Sequence, residues 1–134
     1  MAKTSEKYIS TIGRRKTSTA RVRMTPSEKT SVVINNKPLN EYFATKELKA
    51  IVNDAFQKVE AAKDYDVTVV VKGGGIHSQA EAIRHGIARG LVKNDDTLKS
   101  EIKKLGFLKR DPRSKERRKF GLKKARKSSQ WSKR

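Results

Sequence analysis

The sequence predicts a small two-layer α/β fold, a mixed sheet packed by helices, that runs into a long basic tail. Three observations carry this expectation. Apolar residues alternate at period two over 20–24 and recur at spacings of three and four over 48–59 and 76–91, so strands and helices share the chain. The 134 residues suffice for one modest core. After Leu108 the periodicity stops and charge takes over, a composition that cannot support a core of its own. The chain is therefore divided into a body over 1–108 and a tail over 109–134.

Residues 1–5 read as a loose end. In STARVRM, Ala20, Val22 and Met24 fall on one face and Thr19, Arg21 and Arg23 on the other, which predicts a half-buried strand with arginines on its open side. Thr25-Pro26-Ser27 breaks it as a turn. The β-branched TSVVIN at 30–35 predicts the next strand, closed by Asn35-Asn36-Lys37-Pro38, and the two are expected to pair antiparallel. Leu48, Ile51, Val52, Ala55, Phe56 and Val59 make one helical stripe, with Thr45 as its expected cap. DVTVVVK at 66–72 is almost continuously apolar and predicts a strand buried on both faces. Gly73-Gly74-Gly75 leads into a second helix, with Ser78 and Glu81 spaced as a capping box and a stripe through Ile76, Ala80, Ile83, Ile87 and Leu91. A short third helix runs through Leu98, Ile102 and Leu105, capped by Asp95 or Asp96 and ended by Gly106.

Charge narrows the function. Lys and Arg number 33 against 14 Asp and Glu, a formal net of +19, and the tail alone holds 13 basic and 2 acidic residues. Such an excess points to a polyanion, nucleic acid first. No basic amphipathic helix, lipid anchor or spanning stretch favours a membrane, MAKTSEKY lacks the apolar core of a signal peptide, and no cysteine is present. A soluble intracellular protein with no membrane partner is expected.

GRRKTSTARVR gathers Arg14, Arg15, Lys16, Arg21 and Arg23, and phosphate contact is the favoured role for them. The triple glycine has three readings: a phosphate loop, a tight strand-to-helix turn, or close packing against an RNA backbone. It matches neither common nucleotide-loop motif. His77 and His85 lie eight apart with no carboxylate pattern to complete a metal set, and His85 is expected to bond a phosphate or a backbone carbonyl. Arg84 and Arg89 stand about 140° apart around their helix and bracket a polar face. No nucleophile, base and orienting group assemble, so neither enzyme activity nor a cofactor is expected.

The tail carries Arg110, Arg113, Arg117, Arg118, Lys119, Lys123, Lys124, Arg126 and Lys127, with Phe120, Leu122 and Trp131 among them. Aromatics between cations suit stacking on exposed bases while the cations meet phosphates. Free of RNA the tail is expected to be disordered, and fully extended it would reach roughly 85 Å.

GRRKTSTARV from Gly13, VKGGGIHSQAEAIRHGIARGL from Val71, FLKRDPRSKERRKFGLKKAR from Phe107 and the closing SKR resemble the bacterial-type ribosomal protein S nine family, the ninth protein of the small subunit, over about residues 8–134. Three glycines followed by Gln79, Arg84-His85-Gly86 and Arg89 are the most specific part. The resemblance implies a left-handed β-α-β crossover, where the default is right-handed, and a fold shared with other translation proteins and some small-molecule kinases. It implies small-subunit ribosomal RNA in the head as partner of the residues above together with Lys72, Gly73, Gly74, Gly75 and Gln79, with neighbouring head proteins. It also implies that the tail reaches the peptidyl site, where Lys127, Trp131, Ser132, Lys133 and Arg134 approach the anticodon stem-loop of tRNA. Family tips often carry phenylalanine and a proline where Trp131 and Ser129 stand here. The implied location is cytoplasmic, on the ribosome, with an organellar ribosome left open. The alternatives weighed are a free-standing nucleic-acid-binding protein and a kinase-like enzyme using Gly73–Gly75.

Overall fold

A computed structural model describes residues 7–59 and 64–133. The chain opens with an antiparallel hairpin, β1 (Ile9–Arg15) and β2 (Ser18–Pro26), turning through Lys16 at a φ of 52°. β2 is the strand that alternation predicts, with Ala20, Val22 and Met24 fully buried. β1 is not among the predicted elements. Its inward face has one large apolar side chain, Ile9, followed by Thr11, Gly13 and Arg15, while Ile12 points outward, so no apolar alternation betrays a strand.

β3 (Ser31–Ile34) and the two-residue β4 (Lys37–Pro38) follow, then a one-turn helix α1 (Leu39–Tyr42), α2 (Lys46–Gln57) and β5 (Tyr65–Lys72). The sheet runs β1-β2-β5-β3-β4. β2 and β3 therefore do not pair with each other, against expectation. β5 lies between them, antiparallel to β2 and parallel to β3. The register explains its place: Val67, Val69 and Val71 stand opposite Met24, Val22 and Ala20 on one side, and Val67 and Val69 opposite Val32 and Ile34 on the other. The most apolar strand takes the centre, where both neighbours extend its buried row.

β5 is also not buried on both faces. Its residues alternate, and Val70 is 45% exposed. α2 and α3 (Ile76–Asn94) lie against one side of the sheet, so the inward row is covered and the outward row is open. α3 comes unusually close to β1. A Cβ on Gly13 would strike the carbonyl of Ala82 and the backbone amide of Gly86, and one on Gly86 would meet Val22 Cγ2 at 2.6 Å. The Thr11 hydroxyl donates to the Gly86 carbonyl at 2.7 Å across the same seam.

Helix ends depart from expectation in detail. α3 starts two residues before Ser78, whose Oγ accepts from the Gly75 N–H at 3.0 Å from the third helical position, while Glu81 turns to an arginine. Ile76 shares the angle of the buried stripe but is 61% exposed at the first helical position. Thr45 precedes α2 without a side-chain cap bond. Asp95 caps a 3-10 turn (Asp96–Leu98) through Thr97 N–H, and α4 (Lys99–Leu105) ends at Gly106 with φ 80°. Leu98 and Ile102 are buried, and Leu105 sits at the rim. Among the described residues beyond Gly106 no helix or strand forms, apart from one isolated bridge between Leu122 and Ser128.

Candidate nucleic-acid interface

Register aligns the open side of the sheet in three rows: Arg14 with Thr19 and Lys72, Ile12 with Arg21 and Val70, Ser10 with Arg23 and Thr68. Arg14, Arg21, Arg23 and Lys72 are all exposed, and these rows contain no carboxylate. The Arg23 guanidinium stands 5.0 Å over the ring of Tyr8. A flat basic surface of this kind can present guanidinium forks to phosphate oxygens.

Arg15 belongs to the other face. Strand alternation turns it inward, and its side chain is 11% exposed. Its Nε meets Glu81 at 2.6 Å, Nη1 donates to the Arg113 carbonyl at 2.8 Å, and Nη2 lies 3.5 Å from Asp111. One guanidinium thus ties β1, α3 and the start of the tail together. Arg84 also faces protein, 3.6 Å from Asp54 and 4.7 Å over the Phe107 ring.

His85 takes the carbonyl option. Nδ1 accepts from the Arg14 N–H at 3.2 Å, so the proton sits on Nε2, which donates to the Leu108 carbonyl at 3.2 Å. Burial holds its pKa below the ordinary 6.5, and the charges of Arg89 and Arg110 push the same way. Arg89 donates to the Ile12 carbonyl and Lys93 to that of Ser10. His85, Arg89 and Lys93 are four apart along α3 and together occupy the free edge of β1, blunting it against other strands. Sequence reasoning did not single out Lys93; the spacing of four was the available signal.

The glycine stretch divides. Gly73 and Gly74 have φ of 79° and 65°. A Cβ on Gly73 would lie 2.6 Å from the Thr17 carbonyl, and one on Gly74 would strike the Ser18 hydroxyl. The Gly73 carbonyl accepts from Ser18 Oγ and Gln79 Nε2, and Gln79 Oε1 accepts from the Tyr42 hydroxyl at 2.6 Å. The turn reading accounts for both glycines and gives Gln79 a role inside the protein. Gly75 differs: φ is −94° and nothing lies within 4 Å of its Cβ position. His77 is exposed, 3.7 Å from Glu81, and among the described residues no group of three side chains could hold a metal.

The first residues of the tail are fastened to the body. Arg110 donates to the Lys16 carbonyl at 3.3 Å. Asp111 receives Arg113 through both oxygens, and those hydrogen bonds hold its carboxyl well below the usual carboxylate range. Further on, Glu116 engages Lys119 at 3.0 Å and Arg126 at 2.9 Å, and Arg118 donates to the Lys123 carbonyl. Among the described residues Lys115, Arg117, Lys123, Lys124, Lys127 and Lys133 have no acidic partner. Trp131 is 81% exposed, and Arg134 lies outside the described residues. The sequence profile of the family described as Ribosomal protein S9/S16 matches residues 13–134.

Proposed function

The chain belongs to the ribosomal protein S9/S16 family, and on that premise we propose that it is a structural constituent of the small subunit whose open sheet face and tail contact ribosomal RNA in the head. Family membership makes it a ribosomal protein that binds ribosomal RNA, with a structural role. One observation supports the assignment of surfaces: the arginines under the helices have protein partners, while Arg14, Arg21, Arg23 and Lys72 stand exposed on one face with no ion pair among the described residues, the Asp66 carboxylate one row beyond Arg23 accepting from the Ser31 hydroxyl instead. These four, with Gly75 at the open start of α3, are the body's contacts. Arg15, Arg84, His85 and Gln79 build the frame that holds them. Lys16 and Arg89 add exposed charge at the hairpin turn and the sheet edge.

From the tail, Arg110 and Arg113 serve near the body, and Arg117, Arg118, Lys119, Lys123, Lys124 and Arg126 bind RNA beyond it. Exposed pairs such as Glu116 with Arg126 contribute little in water, so these cations can exchange a carboxylate for a phosphate. Lys127, Trp131, Ser132, Lys133 and Arg134 are assigned to tRNA in the peptidyl site. The exposed Trp131 ring among cations and a family match that runs through residue 134 support that reading. Head proteins of the small subunit are its neighbours, and its setting is the cytoplasmic ribosome. Ser18, Ser78 and Gln79 fill the space around Gly73 and Gly74, which disfavours a nucleotide there.

Sucrose-gradient fractionation tests this. The protein should migrate with the small subunit and stay there at moderate salt. Migration with the large subunit, or release into the free fraction, refutes it.

A further inference from the structure

Six aromatic rings among the described residues have partners inside the protein. Tyr8 lies under Arg23, Tyr42 meets Phe43, Phe56 meets Tyr65, and Phe107 lies against Lys58 and Arg84. Trp131 is assigned to tRNA above. That leaves Phe120, fully exposed and touched by no other ring or cation among the described residues. Tyrosine or tryptophan at a surface can be explained by its polar group. Phenylalanine has none, so its placement in water needs a partner that takes the ring.

The backbone around it is organised. Leu122 N–H donates to the Lys119 carbonyl at 3.3 Å, closing a four-residue turn with Phe120 and Gly121 at its centre. Gly121 has φ 82°, as a type II turn requires at that position. The flanks are linked across the turn. Leu122 bridges to Ser128, Lys123 N–H donates to the Lys127 carbonyl at 2.8 Å, and Glu116 reaches Lys119 and Arg126. Leu122, two residues on, is half-buried against this small structure while Phe120 is left outside.

We propose that Phe120 is a base-stacking residue: the turn presents its ring to an unpaired RNA base, and Arg117, Lys123 and Lys124 meet the phosphates beside that base. The proposal rests on the RNA-binding reading and adds a ligand class, a single-stranded nucleobase. The segment around Phe120 is basic, from Arg117 to Lys119 before it and Lys123 to Lys127 after it, and its one carboxylate, Glu116, is held by Lys119 and Arg126, so the surroundings fit a polyanion better than an apolar protein groove. Every base has a π-face, so stacking gives affinity without sequence preference.

The test uses the full chain and two probes, a mixed-sequence single-stranded RNA 20-mer containing 2-aminopurine and a blunt duplex of the same length. Phe120→Leu keeps an apolar side chain and removes the π-face; Phe120→Trp restores one. Stacking predicts that Phe120→Leu weakens single-strand binding by about 5- to 100-fold, that Phe120→Trp recovers it, and that the salt slope is unchanged because no phosphate contact is lost. Duplex binding should not change, and 2-aminopurine quenching should fall with Leu alone. A photo-crosslinker at position 120 in assembled subunits should capture RNA. Equal single-strand affinity of wild type and Phe120→Leu, an equal loss on duplex, or crosslinking to protein overturns the proposal. Failure of the wild type to bind either RNA instead overturns the RNA-binding reading beneath it.

Discussion

On the open side of the sheet, Arg14, Arg21 and Arg23 stand exposed beside Ile12 and Val70; on the helix-covered side, Arg15 is enclosed by Glu81, Asp111 and the Arg113 carbonyl. Arg14 and Arg15 are chemically identical neighbours, and the period-two geometry of a strand alone sends them to opposite faces. Positive charge in this chain therefore has two uses. Facing inward it binds the strand, the helix and the start of the tail into one unit. Facing outward, in Arg14, Arg21, Arg23 and Lys72, it has no ion-pair partner among the described residues and is available to a polyanion. Counting basic residues cannot separate the two; the phase of the strand can.

The largest way to break the closed side is Gly13→Ala. The new Cβ meets backbone atoms of Ala82 and Gly86, which cannot swing aside as a side-chain tip would. α3 must lift off β1, with an expected loss of about 3 kcal/mol or more in urea unfolding. Gly75→Ala should stay close to wild type in the same measurement, since that Cβ enters open space.

Next comes the arginine pair itself. Arg15→Met leaves Glu81 and Asp111 without their shared cation, for an expected destabilisation of about 2–3 kcal/mol. Arg14→Met should change stability by less than about 0.5 kcal/mol. RNA binding should reverse the order. Arg14→Met lowers the salt slope by roughly 0.7 to 0.9, one phosphate's worth, and Arg15→Met leaves the slope unchanged.

A smaller effect comes from pH. The folded pKa of His85 is lowered by burial, so the unfolded chain binds its proton more readily. His85 thus contributes stability above its unfolded value near 6.5 and loses it as pH falls through the folded value. Acidification should lower the urea midpoint and reduce the protection of the Arg14 amide against exchange relative to its intrinsic rate at the same pH, since its acceptor is Nδ1. His85→Gln should remove that pH-dependent part, and an unchanged pH profile in the variant would place the titration elsewhere.

Much of the body was legible. β2, α2 and α3 announce themselves through runs of regular period, and Gly106 ends its helix as its sequence position implies. β1 was not legible because its inward residues after Ile9 are threonine, glycine and arginine while Ile12 faces out, and its strand character depends on α3 packing tightly against Gly13. Strand order was not legible because local alternation does not say which neighbour a strand will find, and β5 enters from far along the chain. The open face of β5 was hidden by Val70, which reads as core and lies at the surface. For the candidate site, residue type identified the basic stretches, but the inward turn of Arg15 and the clasp of His85 on Leu108 depend on contacts across the fold.

The most direct measurement is the salt dependence of binding to naked ribosomal RNA for the wild type and for Arg14→Gln/Arg21→Gln/Arg23→Gln, paired with unfolding curves. The open-face account predicts that the triple variant keeps wild-type stability while its plot of log K against log salt becomes shallower by roughly 2 to 3 units. A slope that does not move, with the variant fully folded, would contradict it: the arginines of the open face would then be solvated surface, and the RNA contacts would lie elsewhere on the chain.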